Sequence, residues 1–510
     1  MKKLLLSILL LLLTLCFAAA CGDGERPPEN SGGDFEDIGT EAGGETDQTE
    51  SKLSIPDGLP ERDFGGYTFN ILSRTAIADY CEHVKDLTAE EETGDVLYDA
   101  VYKRTRTVEG RFNMNVKVTA IDAKDETAPS KTFERSVLAG ENTYDMIIDH
   151  QIYFARITTN GSLCNWYDIP YIDLGKPWWV EDATKNLTVF GKSFFALSDL
   201  SFNAIDYTYC MYFNKRLFAD YAIESPYEKV RQKKWTIDYV MQITKDVYKD
   251  LNSDGKADGG DLYGYASNLL SAANTYLWAF DNPVAKPDAE GSFVPVLNNE
   301  KTAAIIEKLY EFFFETPGAI VIDSDKRRFK YDGFWIDFHP RIFSDGRAAL
   351  ITGMFVDSIM NLRGMDDDYG FLPYPMYDEK QGKYFTMLDG HGPLMGVPVN
   401  VSDPERTGII IEAMSAEGYK QVSPVYYDIA LKTKFARDEE SAEMIDIIME
   451  GRTFDFGYMY DDFIGGGFLI QNMFNTAKPS SNFASYFEKI EPKLQKQYDK
   501  ISGIYAKYGT

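Results

Sequence analysis

Basic charge is scarce in this 510-residue chain: 52 Lys and Arg face 80 Asp and Glu, a formal net charge of −28. That balance excludes a nucleic-acid binder, which needs a basic footprint, and broad adhesion to anionic lipid. Cysteine is scarce as well. Of the five, Cys16 and Cys21 fall in the leader, and Cys81, Cys164 and Cys210 are an odd number without CxxC spacing. Neither a disulfide framework nor a zinc site is implied. His83, His150, His339 and His391 are the only histidines and stand far apart in sequence. HExxH, a Walker-type loop and GxSxG are all missing, so no sequence signature points to a zinc hydrolase, an NTPase or a serine hydrolase. Past the leader, no apolar run is long enough to span a bilayer.

Aromatic side chains are plentiful: 33 Tyr, 33 Phe and 6 Trp make up 14% of the chain. A chain of this length buries two medium cores, and those cores account for most of the aromatics. The remainder suit a site for sugar rings, whose C–H faces stack on aromatic planes.

The N-terminus is built for export. Lys2 and Lys3 precede an apolar run from Leu4 to Phe17, and Ala18-Ala19-Ala20 supplies the small residues that signal peptidases require. Cys21 follows directly, in an arrangement that resembles a bacterial lipobox with Ala18 in place of the usual Leu. Residues 1–20 therefore read as a signal peptide. Residues 21–61, rich in Gly, Asp, Glu, Ser, Thr and Pro, read as a lipidated Cys21 and a disordered tether.

The folded part opens with a strand over Tyr67–Leu72. A helix carrying Leu97, Ala100, Val101, Arg104 and Val108 follows, then a strand through Phe112, Met114, Val116 and Val118. A helix near Lys131–Ala139 and an apolar strand over Tyr144–Ile148 complete a β-α-β-α-β order, which predicts a parallel α/β sheet. Ligands of such sheets lie beyond the carboxyl ends of the strands, where Arg74 and Asp149-His150-Gln151 fall. Further helices are expected after Trp235-Thr236, after the capping-box pattern Ser402-Asp403-Pro404-Glu405, over Ser441–Glu450 and from Tyr486 onward.

One stretch has the spacing of a cation loop. Asp250, Asn252, Asp254, Asp258 and Asp261 put oxygen ligands at positions 1, 3, 5, 9 and 12. Gly255 stands at the sharp turn, and the Lys256 carbonyl is the seventh-position ligand. A structural Ca²⁺ is expected there, with Asp261 in place of the usual Glu.

Six segments in order resemble the extracellular solute-binding proteins of family 1, the carbohydrate-binding lipoproteins of ABC importers. They are Met211–Phe218 ("YNK-x-LF"), Trp235-Thr236, Phe343–Leu350 ("F-x-x-G-x-AAM"), Ile351–Phe355, Tyr369–Pro375 ("yG-x-x-P-x-P") and Gly396–Asn400. The resemblance implies a two-lobed, periplasmic-binding-protein-like α/β fold of type II with a hinge. Lobe one would hold residues 62–165 and 396–460, and lobe two 166–395 and 461–510. It implies capture of a sugar or oligosaccharide for an ABC permease at the outer face of the bacterial membrane, with no chemistry performed. Phe355 then stands where the family stacks an aromatic on sugar, with Tyr153 and Trp278 as further stacking candidates. Asp149, Gln151 and Asp206 would bond hydroxyls, Arg74 would close the far end, and Asp389 would reach the cleft near the hinge. The rival readings are a glycoside hydrolase working with two carboxylates and a cell-wall glycan-interacting surface lipoprotein.

The leader yields a direct test. Mass spectrometry of the membrane fraction should find a mature chain that begins at a lipidated Cys21. Retention of Met1–Ala20, or an unmodified Cys21, would contradict it.

Overall fold

Alternation along Tyr67–Arg74 (β1) puts Phe69 and Ile71 into one core and Leu72 into another, so the strand is covered on both faces. This is a computed structural model, and it describes residues 54–75, 83–122, 124–325, 337–427, 436 and 438–508. The leader, Cys21, Cys81 and most of the tether lie outside the described residues.

Helix α1 (Val96–Phe112) starts at Asp95, whose carboxylate accepts from the amides of Leu97 and Tyr98, and ends at Asn113 with φ 48°. Strand β2 (Met114–Ile121), helix α2 (Ala128–Leu138) and strand β3 (Met146–His150) follow. β1 pairs in parallel with both β2 and β3, as the β-α-β-α-β order predicts. The chain then leaves this sheet to build a second one. That sheet holds β4 (Tyr209–Asn214), β5 (Leu262–Asn268), β6 (Ala319–Ile322), β7 (Ala348–Met354) and β8 (Tyr369–Leu372). β4 lies antiparallel between β7 and β8, while β5 runs parallel to β6 and β7. A further strand, β9 (Pro393–Gly396), returns to the first sheet antiparallel to β3. Two sheets joined by crossings of this kind make two α/β lobes.

The crossings fix the cleft. The bridge Thr208–Leu388 and the bond from Asp389 N to Tyr207 O (2.9 Å) lay the two passing segments side by side. β4 starts at Tyr209 and β9 at Pro393, so one segment leaves the first lobe where the other returns to it.

The expected lobe boundaries shift in two places. Trp166, Trp178, Trp179 and Leu200 share one apolar core with Phe69, Ile71, Met146 and Ile148, so these residues pack with the first sheet, whereas Leu187, Val189, Phe194 and Phe195 belong to the larger core that holds the second. The reason is a buried acid. Glu412, on helix α3 (Pro404–Glu417), accepts from the indole N–H of Trp178 and of Trp179, both at 3.0 Å. The same helix comes so close to the preceding loop that a Cβ at Gly408 would stand 1.8 Å from the Pro170 carbonyl oxygen. Conversely, helix α4 (Glu439–Glu450), expected in lobe one, docks on the second sheet. Its Ser441 accepts from the amide of Phe371 in β8 and bonds the Tyr227 hydroxyl at 2.8 Å. Helix α3 is capped by Asp403, which accepts from Arg406 N at 3.0 Å, one residue after the Ser402 that the capping-box pattern suggests.

Candidate functional site: the carboxyl ends of the first sheet

β1 ends at Arg74 and β3 at His150, which brings a set of buried polar groups together beside the crossing segments. Arg74 Nε donates to Asp149 Oδ1 at 2.5 Å, with both side chains fully buried, and Ser130 Oγ donates to the other carboxylate oxygen at 2.7 Å. Arg74 Nη2 reaches the Glu126 carbonyl at 2.8 Å, and the guanidinium lies 6.0 Å from the Tyr153 ring centre. The Tyr153 hydroxyl donates to the Glu126 carboxylate. Burial raises the Asp149 carboxyl, with the Arg74 charge pulling against it.

Three of the four histidines meet here, although sequence distance had set them apart. His150 stands edge-on to His83 (5.1 Å between ring centres) and to His391 (4.8 Å), and it lies 6.2 Å from Tyr153. His83 also bonds Asn203 Nδ2 at 3.2 Å and sits at the start of a short helix, Val84–Leu87. The fully buried Arg104 of α1 pins that helix by donating to the carbonyls of Asp86 and Leu87 (2.9 and 2.7 Å). Asp86 in turn accepts from the Ser201 hydroxyl and from Asn203 N. Burial pushes the Asp86 carboxyl up to about 7, and burial followed by Asp86 pushes Asp206 well above the usual range. Burial, then the Arg74 charge, pushes His83 down to about 3.

Five of these groups have a buried polar atom that meets no hydrogen-bonding partner among the described residues: Arg74 Nη1, His83 Nε2, Asp86 Oδ1, Arg104 Nε and Asp206 Oδ1. Such an atom costs about 1–3 kcal/mol if left unbonded, and stable proteins tolerate few of them. Gathered on the segments beside the end of β1, they offer a surface on which a ligand could complete those bonds.

The other expected site residues are placed differently. Gln151 Nε2 donates to the carbonyls of Leu388 and Asp389 (3.1 and 2.6 Å), which ties it to the crossing segment. Asp389 accepts from the Tyr209 hydroxyl (2.8 Å) and from His391 Nδ1 (2.5 Å). Burial pushes that carboxyl up, but His391 and these bonds outweigh it and hold Asp389 below its usual range. Both residues pin the crossing and have their bonds met within the chain. Phe355 has no exposed surface and packs at 5.8 Å against Phe371, so the expected sugar-stacking ring is core. Its backbone amide donates to Thr208 O, which steadies the crossing instead. Trp278 is buried, donates from Nε1 to Asp455 at 2.9 Å and meets the Tyr458 ring edge-on at 5.1 Å. A void of about 10 Å³, too small for a sugar ring, separates it from Gln151. Arg74, Asp149, Tyr153 and Asp206 thus belong to the strand-end site. His150, expected at the strand ends with Asp149, joins it; His83 and Asp86 join it without having been singled out, because nothing local in sequence marks residues that meet only after folding.

The loop at 250–261 turns sharply at Gly255 (φ +73°), as a cation loop must. Its carboxylates, however, face its own amides. Asp250 accepts from Ser253 N and Gly255 N, Asp254 from Lys256 N, Asp258 from Gly260 N, and Asp261 from Leu251 N and the Tyr248 hydroxyl. Among the described residues no three His, Cys, Asp or Glu side chains are gathered as a metal site. Asn252 and the Lys256 carbonyl lie in the same loop, so the six groups expected as ligands are gathered on one turn whose carboxylates here bond its own amides.

No protein-family model matches the chain, and no curated protein does. Solved structures do. The galacto-N-biose/lacto-N-biose I-binding protein of an ABC transporter from Bifidobacterium longum, in complex with lacto-N-biose, is 13% identical. It covers 86% of this chain and 99% of its own, with a TM-score of 0.55. An ABC substrate-binding protein from Listeria monocytogenes in complex with cycloalternan is 12% identical over 86% and 99%, with a TM-score of 0.51. UgpB from Mycobacterium tuberculosis in complex with glycerophosphocholine is 15% identical over 79% and 96%, with a TM-score of 0.51.

The buried acid at the site gives a pH test. Folded Asp86 keeps a proton that the unfolded chain releases near its ordinary value of 3.8, so stability is lost as pH rises from there through about 7. His83 acts the other way, adding stability as pH rises from about 3 to 6.5. Asp86→Asn mimics the protonated acid. Urea denaturation between these limits should show a smaller loss toward neutral pH than the wild type. An unchanged pH slope would show that Asp86 is ionised in the fold. At these identities the likeness establishes architecture, and this chain has the two-lobed α/β fold of ABC-transporter substrate-binding proteins.

Proposed function

We propose that the chain captures a neutral sugar or oligosaccharide between its lobes and hands it, unaltered, to an ABC permease. The observation that carries this reading is the group of five buried polar atoms without partners among the described residues, gathered beside the carboxyl end of β1. A sugar supplies several hydroxyls at short spacing, each able to donate and accept, and the aromatic rings beside these atoms offer faces for its C–H surface. Charge at the site is largely compensated: Arg74 is balanced by Asp149, the buried Arg104 has Asp86 beside it, and burial lowers His83 and raises Asp206. Neutral surroundings favour a neutral ligand. They also weigh against a glycoside hydrolase, which needs one carboxylate ionised while the other is protonated. Here both unpaired acids are pushed the same way. Fold likeness to proteins whose complexes hold lacto-N-biose and cycloalternan supports sugar, and a glycerophosphocholine complex on the same fold shows that the ligand must be argued from the site.

Lipid anchoring through Cys21, at the outer face of the membrane, is part of the same proposal and rests on the leader sequence. Among the described residues no helix is long and apolar enough to cross a membrane.

A panel of neutral glycans screened by thermal shift tests the reading. A glycan present at about 100 times its Kd should stabilise the protein by about 2.7 kcal/mol and be recovered intact. Tyr153→Ala should weaken that glycan about tenfold or more, the loss expected of about 1–2 kcal/mol from a stacking ring. Shortened products, or no stabilisation by any glycan, would contradict it.

Calcium in the 250–261 loop is a separate proposal, resting on ligand spacing: the ion would draw Asp250, Asn252, Asp254, the Lys256 carbonyl, Asp258 and Asp261 away from the loop amides. Chelator should then lower the melting temperature of the wild type and leave Asp254→Ala unmoved. Equal melting with calcium and with chelator would make the loop a turn closed by its own amides.

A further inference from the structure

A cavity of about 320 Å³ opens beside Trp278. It shares Trp278, Thr453, Phe454 and Asp455 with the small void at Gln151, but none of the strand-end residues lines it. Its volume lies at the lower end of the range for small-molecule sites.

The walls are apolar and held in place. Trp278, Phe293, Phe454 and Pro283 line it. Phe293 is stacked on Phe456 at 4.4 Å with the planes 7° apart. Trp278 is fixed through Nε1 to Asp455 Oδ2, which also accepts from Val284 N at 2.7 Å. A ligand would meet a preformed surface and would not have to order it.

The polar lining residues are Asn186, Asp281, Asn282, Lys286, Thr453 and Asp455; Asn282 donates to Thr302 Oγ1, and the Asp455 carboxylate is taken up by Trp278 and the amides of Val284, Gly457 and Tyr458. Asn186 donates its amide to Phe454 O at 2.9 Å, so its Oδ1 faces no donor among the described residues. Asp281 and Lys286 are exposed, and neither forms an ion pair among the described residues. Apart from Asp455, whose carboxylate is bonded within the chain, the rim carries one carboxylate, one ammonium and one amide carbonyl, and the charges of Asp281 and Lys286 cancel.

We infer that this cavity is a second ligand site, apart from the strand-end site, that takes a single neutral sugar ring. Apolar walls match the C–H faces of a pyranose. The rim carries acceptors and a donor that its equatorial hydroxyls need. The cancelling charges give no advantage to an anion or a cation. The inference stands on the cavity's own lining and does not require the strand-end reading.

The test uses the folded protein with 15N-labelled tryptophan. The Trp278 indole resonance, assigned through Trp278→Phe, is followed during titration with D-glucose, and separately with glucuronate and L-phenylalanine. D-glucose should shift that resonance saturably. Asp281→Asn combined with Lys286→Ala, both at exposed positions, should weaken the effect about tenfold with melting unchanged. Tyr153→Ala should leave it intact. Three results would overturn the inference: no shift with D-glucose up to its solubility limit; a shift that survives the rim variant but vanishes in Tyr153→Ala; or a stronger response to glucuronate or to the zwitterion phenylalanine. If no glycan stabilises the protein through the strand-end site while D-glucose still shifts Trp278, the first reading falls and this one stands.

Discussion

Asp389 holds the crossing on which the site depends. Its carboxylate takes a hydroxyl from Tyr209, the first residue of β4 in the second sheet. It also takes Nδ1 from His391, just before β9 rejoins the first. Gln151, one residue beyond β3, clasps the carbonyls of Leu388 and Asp389. Three chain segments that belong to different sheets are thereby fastened at one point. The end of β3 and the segment around Asp206 are held close because of that fastening. A buried carboxylate with fewer partners would be pushed toward protonation; here the neighbouring imidazole and its bonds overcome burial.

Around this point the protein buries charge in compensated form. Arg74 places an opposite charge within bonding distance of Asp149, as buried ions require, and His391 Nδ1 bonds Asp389. Burial drives Asp86 toward the neutral acid against the pull of the neighbouring Arg104, drives Asp206 the same way, and drives His83 toward the neutral base. A neutral carboxyl group both donates and accepts, which suits a hydroxyl-rich ligand. The same physics holds the first lobe together, where two indole N–H groups share Glu412 and burial pushes its carboxyl up to about 7.

The elements whose period was clear in the sequence lie where it put them, within a few residues. β1 and β2 alternate, β3 is buried throughout, α1 repeats its apolar positions every three to four residues, and the three strands are parallel with Arg74 and Asp149 at their ends. The lobe boundaries were less legible. Residues 166–200 have no periodic signal, and it is the pairing of Trp178 and Trp179 with Glu412, more than 230 positions away, that ties these two tryptophans to the first sheet. Site residues were legible only where they lie at strand ends. Phe355 follows β7 and looked ligand-facing from its place in a motif, yet its ring packs on Phe371. His83, His150 and His391 looked unrelated because their proximity exists only in three dimensions.

The central claim is that the unpartnered atoms at the ends of the first sheet are the hydroxyl-binding surface. A crystal structure with the tightest-binding neutral glycan tests it most directly. The account predicts intact sugar between the lobes, with ligand oxygens within hydrogen-bonding distance of Arg74 Nη1, His83 Nε2 and Asp206 Oδ1, and a ring against Tyr153. A glycan bound elsewhere while those atoms stay unbonded, or a cleaved glycan in the cleft, would contradict it.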